Sequence, residues 1–78
     1  MSKWAYNAGM SPEEIDDIFS YHAPKGDQPA RYEAIRSAAK AFALVLLANT
    51  PKSADQTAAI RKLRECVMTA NAAIALEG

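Results

Sequence analysis

Few residues of this sequence are of types that could catalyse a reaction or hold a metal ion. The chain has a single histidine, His22, and a single cysteine, Cys66. His22 is not at helical spacing from a carboxylate, and Cys66 lies beside Val67 in an apolar helical stretch, where a buried packing role is expected. A metal site needs three or four converging ligands. The sequence therefore predicts no metal or other cofactor, and the protein is not expected to be an enzyme.

Acidic residues near the beginning of the chain are better explained by helix electrostatics than by acid–base chemistry. They are Glu13, Glu14, Asp16 and Asp17. Carboxylates in the first turns of a helix interact favourably with its positive end and are normally solvated. The three glycines are scattered and form no phosphate-binding loop. Neither feature identifies an active site.

Aromatic and basic side chains form a more informative combination. Tyr21 and His22 precede the first of two long predicted helices. The basic residues that recur along those helices are Arg31, Arg36, Lys40, Arg61, Lys62 and Arg64. An aromatic ring can stack on a base while an arginine binds phosphate oxygens, so this combination suits a ligand with flat bases and anionic phosphates. A plainer interpretation is that the arginines are solvated and that Arg36 pairs with Glu33.

The elements that position these residues are predicted to be helical. A short helix is expected over residues 12–19, where Ser11 and Glu14 form a capping box and Pro12 occupies the first helical position. Its apolar residues are Ile15, Ile18 and Phe19. Two turns are unstable alone, so this helix must dock on something larger. Residues 23–27 then have the composition of a loop.

A long helix is predicted from the candidate N-cap Asp27 to about Ala48, with Pro29 in its first turn. Its apolar seam consists of Tyr32, Ile35, Ala39, Phe42 and Leu46. Pro51 helps to end it, since the residue before a proline disfavours the helical conformation.

Ser53 begins the last helix in a second capping box with Gln56, and the helical pattern continues to about Leu76. The seam consists of Gln56, Ile60, Leu63, Val67, Ala70 and Ile74. Because the connection between the long helices is short, they must be antiparallel neighbours. The predicted fold is all-α, a short N-terminal helix followed by a long antiparallel αα-hairpin. Residues 1–10 are expected to form an arm and residues 11–78 a single domain.

Size and composition predict assembly. The chain has 78 residues, of which half are hydrophobic and seventeen are alanines. A domain this small buries only about 60% of its unfolded surface. Apolar residues also lie outside the two seams, among them Leu44, Val45, Leu47 and Met68. We therefore expect a helical homo-oligomer, the alternative being that the alanines merely support helix formation at the surface.

The charge distribution narrows the possible partners. The formal net charge is zero, but residues 1–17 hold one lysine against four acidic residues, and residues 18–78 hold eight basic against five acidic residues. An acidic arm thus offsets a basic hairpin, so a small anionic ligand is allowed while long nucleic acid is not expected. No apolar stretch is long enough to span a membrane and no signal peptide is apparent. A soluble intracellular protein without a membrane partner is expected.

Two runs of the sequence carry a family resemblance. The run FSYHAPKGDQPARYEAIRSAAK, residues 19–40, contains a Tyr-His-x-Pro turn, a Gln, and then RYEAIR followed by AAK. The run PKSADQTAAIRKLRECVMTANAAIAL, residues 51–76, contains a Pro-x-Ser-x-Asp cap, a Leu-Arg-Glu centre and a Met-x-x-Asn-Ala-Ala-Ile-Ala ending. Over about residues 18–76 the chain resembles the phage anti-CBASS cyclic-oligonucleotide sponges, which share their helical hairpin with a Thoeris anti-defence sponge.

That resemblance implies a function and a site. Members form homohexamers in the host bacterial cytoplasm and sequester cyclic nucleotide immune signals, such as cyclic GMP-AMP, without degrading them. Cyclic dinucleotides bind between protomers, where a tyrosine stacks on a base and a basic residue about fifteen positions later meets a phosphate. The matching residues are Tyr21 and Arg36, an arginine where the family can have lysine. Cyclic trinucleotides can bind at separate sites, for which the polar residues His22, Arg64 and Asn71 are candidates.

Two other functions remain open from the residues alone. The hairpin is also consistent with an interaction module that dimerises into a four-helix bundle and binds a protein or a structured RNA. A small phosphodiesterase is the weaker alternative, since no cluster of metal ligands is apparent. Trp4 and Tyr6 are expected to anchor the arm on the hairpin rather than to form a lid.

Overall fold

A computed structural model describes residues 10–77, and over this range it contains three helices and no strand. Helix α1 spans Pro12–Ile18, α2 spans Gln28–Asn49 and α3 spans Ala54–Ala75. The prediction of a short helix followed by a long αα-hairpin is confirmed. Trp4, Tyr6 and nearly all of the predicted arm lie outside the described residues. No helix within the described part of the chain is long and apolar enough to cross a lipid bilayer.

Capping bonds begin two of the helices as their sequences predict. Ser11 Oγ accepts a hydrogen bond from the Glu14 amide at 3.1 Å, and Ser53 Oγ accepts one from the Gln56 amide at 3.2 Å. The Gln56 side chain does not complete a capping box. Its Nε2 instead donates to the carbonyl oxygen and the hydroxyl of Thr50, both at 3.1 Å, and so ties α3 to the end of α2.

Helices α2 and α3 pack against each other along the two predicted seams. Every seam residue of α3 is buried or half-buried, from Gln56 to Ile74. On α2 the prediction is wrong for Phe42, which is 52% exposed. A straight α-helix turns about 100° per residue, so Phe42 lies about 80° from Tyr32 around the axis and reaches the edge of the seam. The smaller Ala43, which lies close to the line of Tyr32, is half-buried.

The single chain buries little apolar surface. Ile74 is the only buried apolar residue in the described part of the chain. The side chains predicted to lie outside the seams are more than half exposed: Leu44, Val45, Leu47 and Met68. Cys66 is also exposed in the single chain, which corrects the expectation that it is buried. It lies on a groove with Ile35 and Phe42, on one side of the two-helix layer.

Helix α1 does not dock on its own hairpin. Within residues 10–77 the only helices that pack together are α2 and α3. Ile15 and Ile18 of α1 are 47% and 39% exposed, and Phe19, just after the helix, is 84% exposed. The larger body that this short helix requires is therefore not supplied by the described part of the same chain.

Candidate functional site

The open end of the hairpin is held by the buried side chain of Gln28, the first residue of α2. Gln28 is 4% exposed. Its Oε1 accepts a hydrogen bond from the Lys25 amide at 3.1 Å, and its Nε2 donates to the Ile74 carbonyl at 3.0 Å and to Glu77 Oε1 at 3.1 Å. These bonds satisfy an amide that would be costly to bury unpaired. They join the loop before α2 to the last turn of α3, and we call them the glutamine clamp.

An ion pair lies beside the glutamine clamp. The Arg31 guanidinium donates hydrogen bonds to the Glu77 carboxylate. Arg31 Nε also lies 3.2 Å from Asp27 Oδ1, but in a geometry that makes the contact an ion pair rather than a hydrogen bond. Asp27 thus occupies the N-cap position without the side-chain capping bond its type predicts. The hydrogen bond from Arg31, with a second from Gln28, lowers the pKa of Glu77, and the bond to Glu77 raises the pKa of Arg31.

Tyr21 and His22 border a concavity of about 440 Å³ at this end of the hairpin. The opposite wall comes from the end of α3 and includes Leu76 and Glu77, while Lys25 supplies a cation. The Tyr21 side chain is among the most exposed apolar groups of the described chain, at 87%. The concavity therefore has an aromatic ring available at its edge.

The loop that carries Tyr21 is fixed at both ends. At one end His22 Nε2 lies 2.6 Å from the carbonyl oxygen of Asp17 and 3.5 Å from its Oδ1. A carbonyl oxygen only accepts hydrogen bonds, so we assign the proton to Nε2. At the other end the loop turns at Gly26, whose φ of 60° suits glycine, and the Lys25 amide meets the glutamine clamp. His22 is thus placed to position the loop.

Arg36 and Arg64 lie on a second concavity of about 420 Å³, on one side of the α2–α3 layer. We call it the basic groove. Its floor is apolar, and its cations are Arg36 and Lys40 from α2 and Arg64 from α3. The groove on the other side of the layer has an all-apolar lining that includes Ile35 and Phe42. The basic groove is therefore the side of the hairpin suited to an anion with apolar parts.

Tyr21 lines the first of these two concavities and Arg36 lines the second. Arg36 pairs with Glu33, its predicted neighbour, and both side chains are well exposed, at 70% and 62%. Exposed pairs of this kind contribute only about 0–1 kcal/mol. The guanidinium of Arg36 can therefore exchange this partner for a phosphate at small cost.

Asn71 lines neither the concavity beside Tyr21 and His22 nor the basic groove. It is half-buried on α3, and its Oδ1 is buried without a hydrogen-bond partner among the described residues. Buried amide oxygens are normally paired. This atom is therefore an acceptor that an added molecule or a second copy of the chain could satisfy.

Sequence reasoning missed the residues that shape the site without being its predicted ligands. Gln28 was visible only as one letter of a resembling run, and Glu77 lies beyond that run. Burial of Gln28 and its bonds to the end of α3 depend on how the two helices meet, which no local pattern encodes. The one available signal was a polar residue, Gln28, at the seam spacing of α2, four positions before Tyr32.

The side chains at these two concavities are suited to binding a ligand. An exposed ring, a loop lysine and a row of cations can stack, neutralise and hydrogen-bond an anionic ligand with flat parts. Among the described residues no group of three or more His, Cys, Asp or Glu side chains is arranged to hold a metal ion.

Comparison with known proteins identifies the family. Residues 11–75 match the family described as Acb2/Tad1, hairpin domain, and this match includes all three helices. No curated protein and no solved structure gives a significant match to the chain. The match spans well over half of the sequence and agrees with the resemblance carried by the Tyr-His-x-Pro and Leu-Arg-Glu runs. This chain belongs to the Acb2/Tad1 hairpin family, the phage anti-defence sponges for cyclic nucleotides.

Proposed function

We propose that this protein binds cyclic dinucleotide immune signals, such as cyclic GMP-AMP, in the cytoplasm of the infected bacterium and sequesters them without cleavage. Family membership over residues 11–75 is the observation that carries the proposal. Cyclic trinucleotides are the proposed ligands of a second type of site, for which His22, Arg64 and Asn71 remain candidates. The protein acts by stoichiometric capture, so it needs no turnover.

Tyr21 and Arg36 are the residues proposed to bind the cyclic dinucleotide. Support for Tyr21 comes from the exposure of its ring on a loop that is fixed at both ends. Support for Arg36 comes from its exposed position and its weak partner Glu33. Stacking contributes about 1–3 kcal/mol per base and a charged hydrogen bond about 1.5–3 kcal/mol. Two bases and two phosphates therefore provide enough free energy for tight capture.

The proposed pocket lies between protomers of a homohexamer. Tyr21 and Arg36 line separate concavities of one chain, and an arrangement of two chains can bring one residue of each type together. A twofold interface also presents the same groups twice, which suits the near-twofold symmetry of a cyclic dinucleotide. The exposed apolar faces that include Leu44, Val45 and Met68 are the surfaces such an assembly would bury.

The fate of the ligand tests the proposal. The protein is incubated with a panel of cyclic di- and trinucleotides, freed of unbound compound, and denatured, and the released compound is identified by chromatography. Sequestration predicts recovery of the intact cyclic compound in a fixed ratio to the protein. Recovery of a linear product would show hydrolysis, and retention of no compound from the panel would refute the proposed ligand class.

An interaction module is the second candidate function, and the exposed apolar side chains of α2 favour it. Leu44, Val45 and Leu47 are each more than half exposed and could form a four-helix bundle from two hairpins. Such a bundle would bind a protein or a structured RNA through its basic side. A mass of two protomers with no retained nucleotide would favour the module, whereas six protomers that retain a cyclic nucleotide favour the sponge.

A further inference from the structure

The exposed surface of helix α1 is complementary to a site that is apolar and positively charged. Its apolar face, made by Ile15 and Ile18 and continued by Phe19 just after the helix, is exposed, and α1 does not contact α2 or α3 within the described chain. At about 100° per residue, Glu14 lies on one flank of this face and Asp16 on the other. The helix thus presents an apolar stripe between two carboxylates.

The basic groove has the complementary arrangement. Its floor is formed by apolar seam residues such as Ala39, Leu63 and Val67, and its two rims belong to different helices. Lys40 is a cation on the α2 rim and Arg64 is a cation on the α3 rim. Neither makes an ion pair with another described residue, whereas Arg36 on the same groove pairs with Glu33. An apolar floor between two unpaired cations therefore faces solvent.

We propose that α1 of one copy of this chain docks into the basic groove of another copy. Ile15, Ile18 and Phe19 cover the apolar floor. Glu14 and Asp16 then lie beside the cations of the two rims, which are Lys40 and Arg64. The all-apolar groove on the other side of the hairpin lacks these cations, so it does not match the charges of α1.

Because α1 has no contact with its own hairpin in the described chain, a second copy is the occupant that we propose. His22 Nε2 contacts Asp17 at the end of α1, and the Lys25 amide contacts Gln28 at the start of α2. With both ends fixed, α1 has no packing contact with its own hairpin. Each chain therefore gives one helix and receives one, which closes either as a reciprocal pair or as a ring.

This interface goes beyond the proposed ligand binding and does not require it. It does have a consequence for the ligand site, because Tyr21 lies only three residues after the end of α1. Docking of α1 carries that tyrosine towards the groove in which the partner's copy of Arg36 lies. Glu14 and Asp16 pair with Lys40 and Arg64, so Arg36 is left to bind a phosphate.

Charge exchange between two variants tests the interface. Variant A carries Glu14→Gln and Asp16→Lys, and glutamine is as compatible as glutamate with this capping position. Variant B carries Lys40→Glu and Arg64→Glu. Each variant alone opposes like charges, so its dissociation constant for self-assembly should rise by about tenfold or more at low ionic strength. In a one-to-one mixture, the lysine of variant A can dock in the acidic groove of variant B, and the wild-type carboxylates of variant B can dock in the basic groove of variant A.

Mass is measured by light scattering after size exclusion, on wild type, A, B and the mixture. We expect oligomers for wild type and for the mixture, and smaller species for A and for B. A matched control, Arg61→Glu with Lys62→Glu, changes exposed cations outside the groove lining and should keep the wild-type mass. Circular dichroism of each variant verifies that its helices are formed.

Several results would overturn the proposal. They are a monomeric wild type, a wild-type mass for A or B alone, and a mixture that stays as small as its components. Docking of α1 on its own hairpin would also leave the mixture as small as its components, and it would equally overturn the proposal. Retention of cyclic nucleotides is measured on wild type in a separate experiment. An assembled protein that retains none would therefore count against the proposed function and leave the interface intact.

Discussion

Truncation of Tyr21 should separate the proposed ligand binding from stability, because its ring is exposed in the single chain. The side chain is 87% exposed, so Tyr21→Ala removes little packing. Exposed substitutions of this kind usually alter the free energy of unfolding by about 0.5 kcal/mol or less. The loop should stay in place, because it is fixed through His22 and through the amide of Lys25 rather than through the tyrosine ring.

The expected loss of affinity depends on how many bases of the ligand lose an aromatic ring to stack on. One base stacked on an aromatic side chain contributes about 1–3 kcal/mol, which corresponds to roughly 5- to 150-fold in the dissociation constant. If two protomers each contribute Tyr21 to one cyclic dinucleotide, the combined loss is about 2–6 kcal/mol, or roughly 30- to 20,000-fold. A loss near the upper end would be seen as complete absence of binding.

Isothermal titration calorimetry with a cyclic dinucleotide measures this loss, and Tyr21→Phe is the matched control. Phenylalanine keeps the ring and removes only the hydroxyl, so its dissociation constant should stay within about threefold of wild type if stacking is the main contact. Oligomer mass and helix content should be unchanged in both variants. The reasoning is refuted if Tyr21→Ala binds like wild type, or if Tyr21→Phe loses as much affinity as Tyr21→Ala.

Three further changes test other parts of the site. Arg36→Ala should weaken dinucleotide binding about 10- to 150-fold for each phosphate contact that is lost, since a charged hydrogen bond is worth about 1.5–3 kcal/mol. Arg36→Lys, which keeps the charge, should lose less, and calorimetry that found the opposite order would exclude a phosphate contact. Gln28→Ala should lower the free energy of unfolding by about 1–3 kcal/mol and speed hydrogen exchange at the Lys25 amide. The matched Gln56→Ala, at the other end of the hairpin, should leave that amide protected, so equal exchange in the two variants contradicts the glutamine clamp. The folded-state pKa of Glu77 is lowered by its guanidinium partner, so its contribution to stability is present above the unfolded pKa of about 4.3 and is lost as the pH falls through the lower folded value. Urea unfolding should therefore show wild type more stable than Glu77→Gln at pH 7, with a difference that shrinks steadily as the pH falls below 4, and a difference that does not depend on pH would contradict the pairing.

The helices were predictable because their signals are local. Ser11 and Ser53 accept capping bonds from the amides that their sequence contexts predict, and the seam of α3 was read correctly at every position. The error at Phe42 came from extending a regular three-and-four spacing along a straight helix, whose true period shifts the seam. Helix α1 was predicted correctly as an element, but its lack of contact with the hairpin depends on the path of residues 19–27.

The candidate site was predictable only in part, because its residues meet through tertiary structure. Tyr21 and Arg36 entered through a family resemblance, and their roles remain predictions. The glutamine clamp, formed by Gln28 with the end of α3, joins residues separated by 46 and 49 positions, which no short motif reports. The contact of His22 with Asp17 spans five positions and belongs to a turn rather than to a helix face. These contacts show that His22 also helps to position the loop, while its role as a ligand-binding residue stays a prediction.

The thin core and the exposed candidate site of this chain have a common physical basis. One protomer buries Ile74 as its only apolar residue among residues 10–77, so assembly of several copies is the proposed source of further burial. A ligand that binds only where two copies meet stabilises the assembled state over the separated one, by an amount that grows with its concentration. Capture and assembly are then thermodynamically linked, and each increases the other. In the proposed sponge, this linkage would tighten the capture of the ligand as more of it is bound.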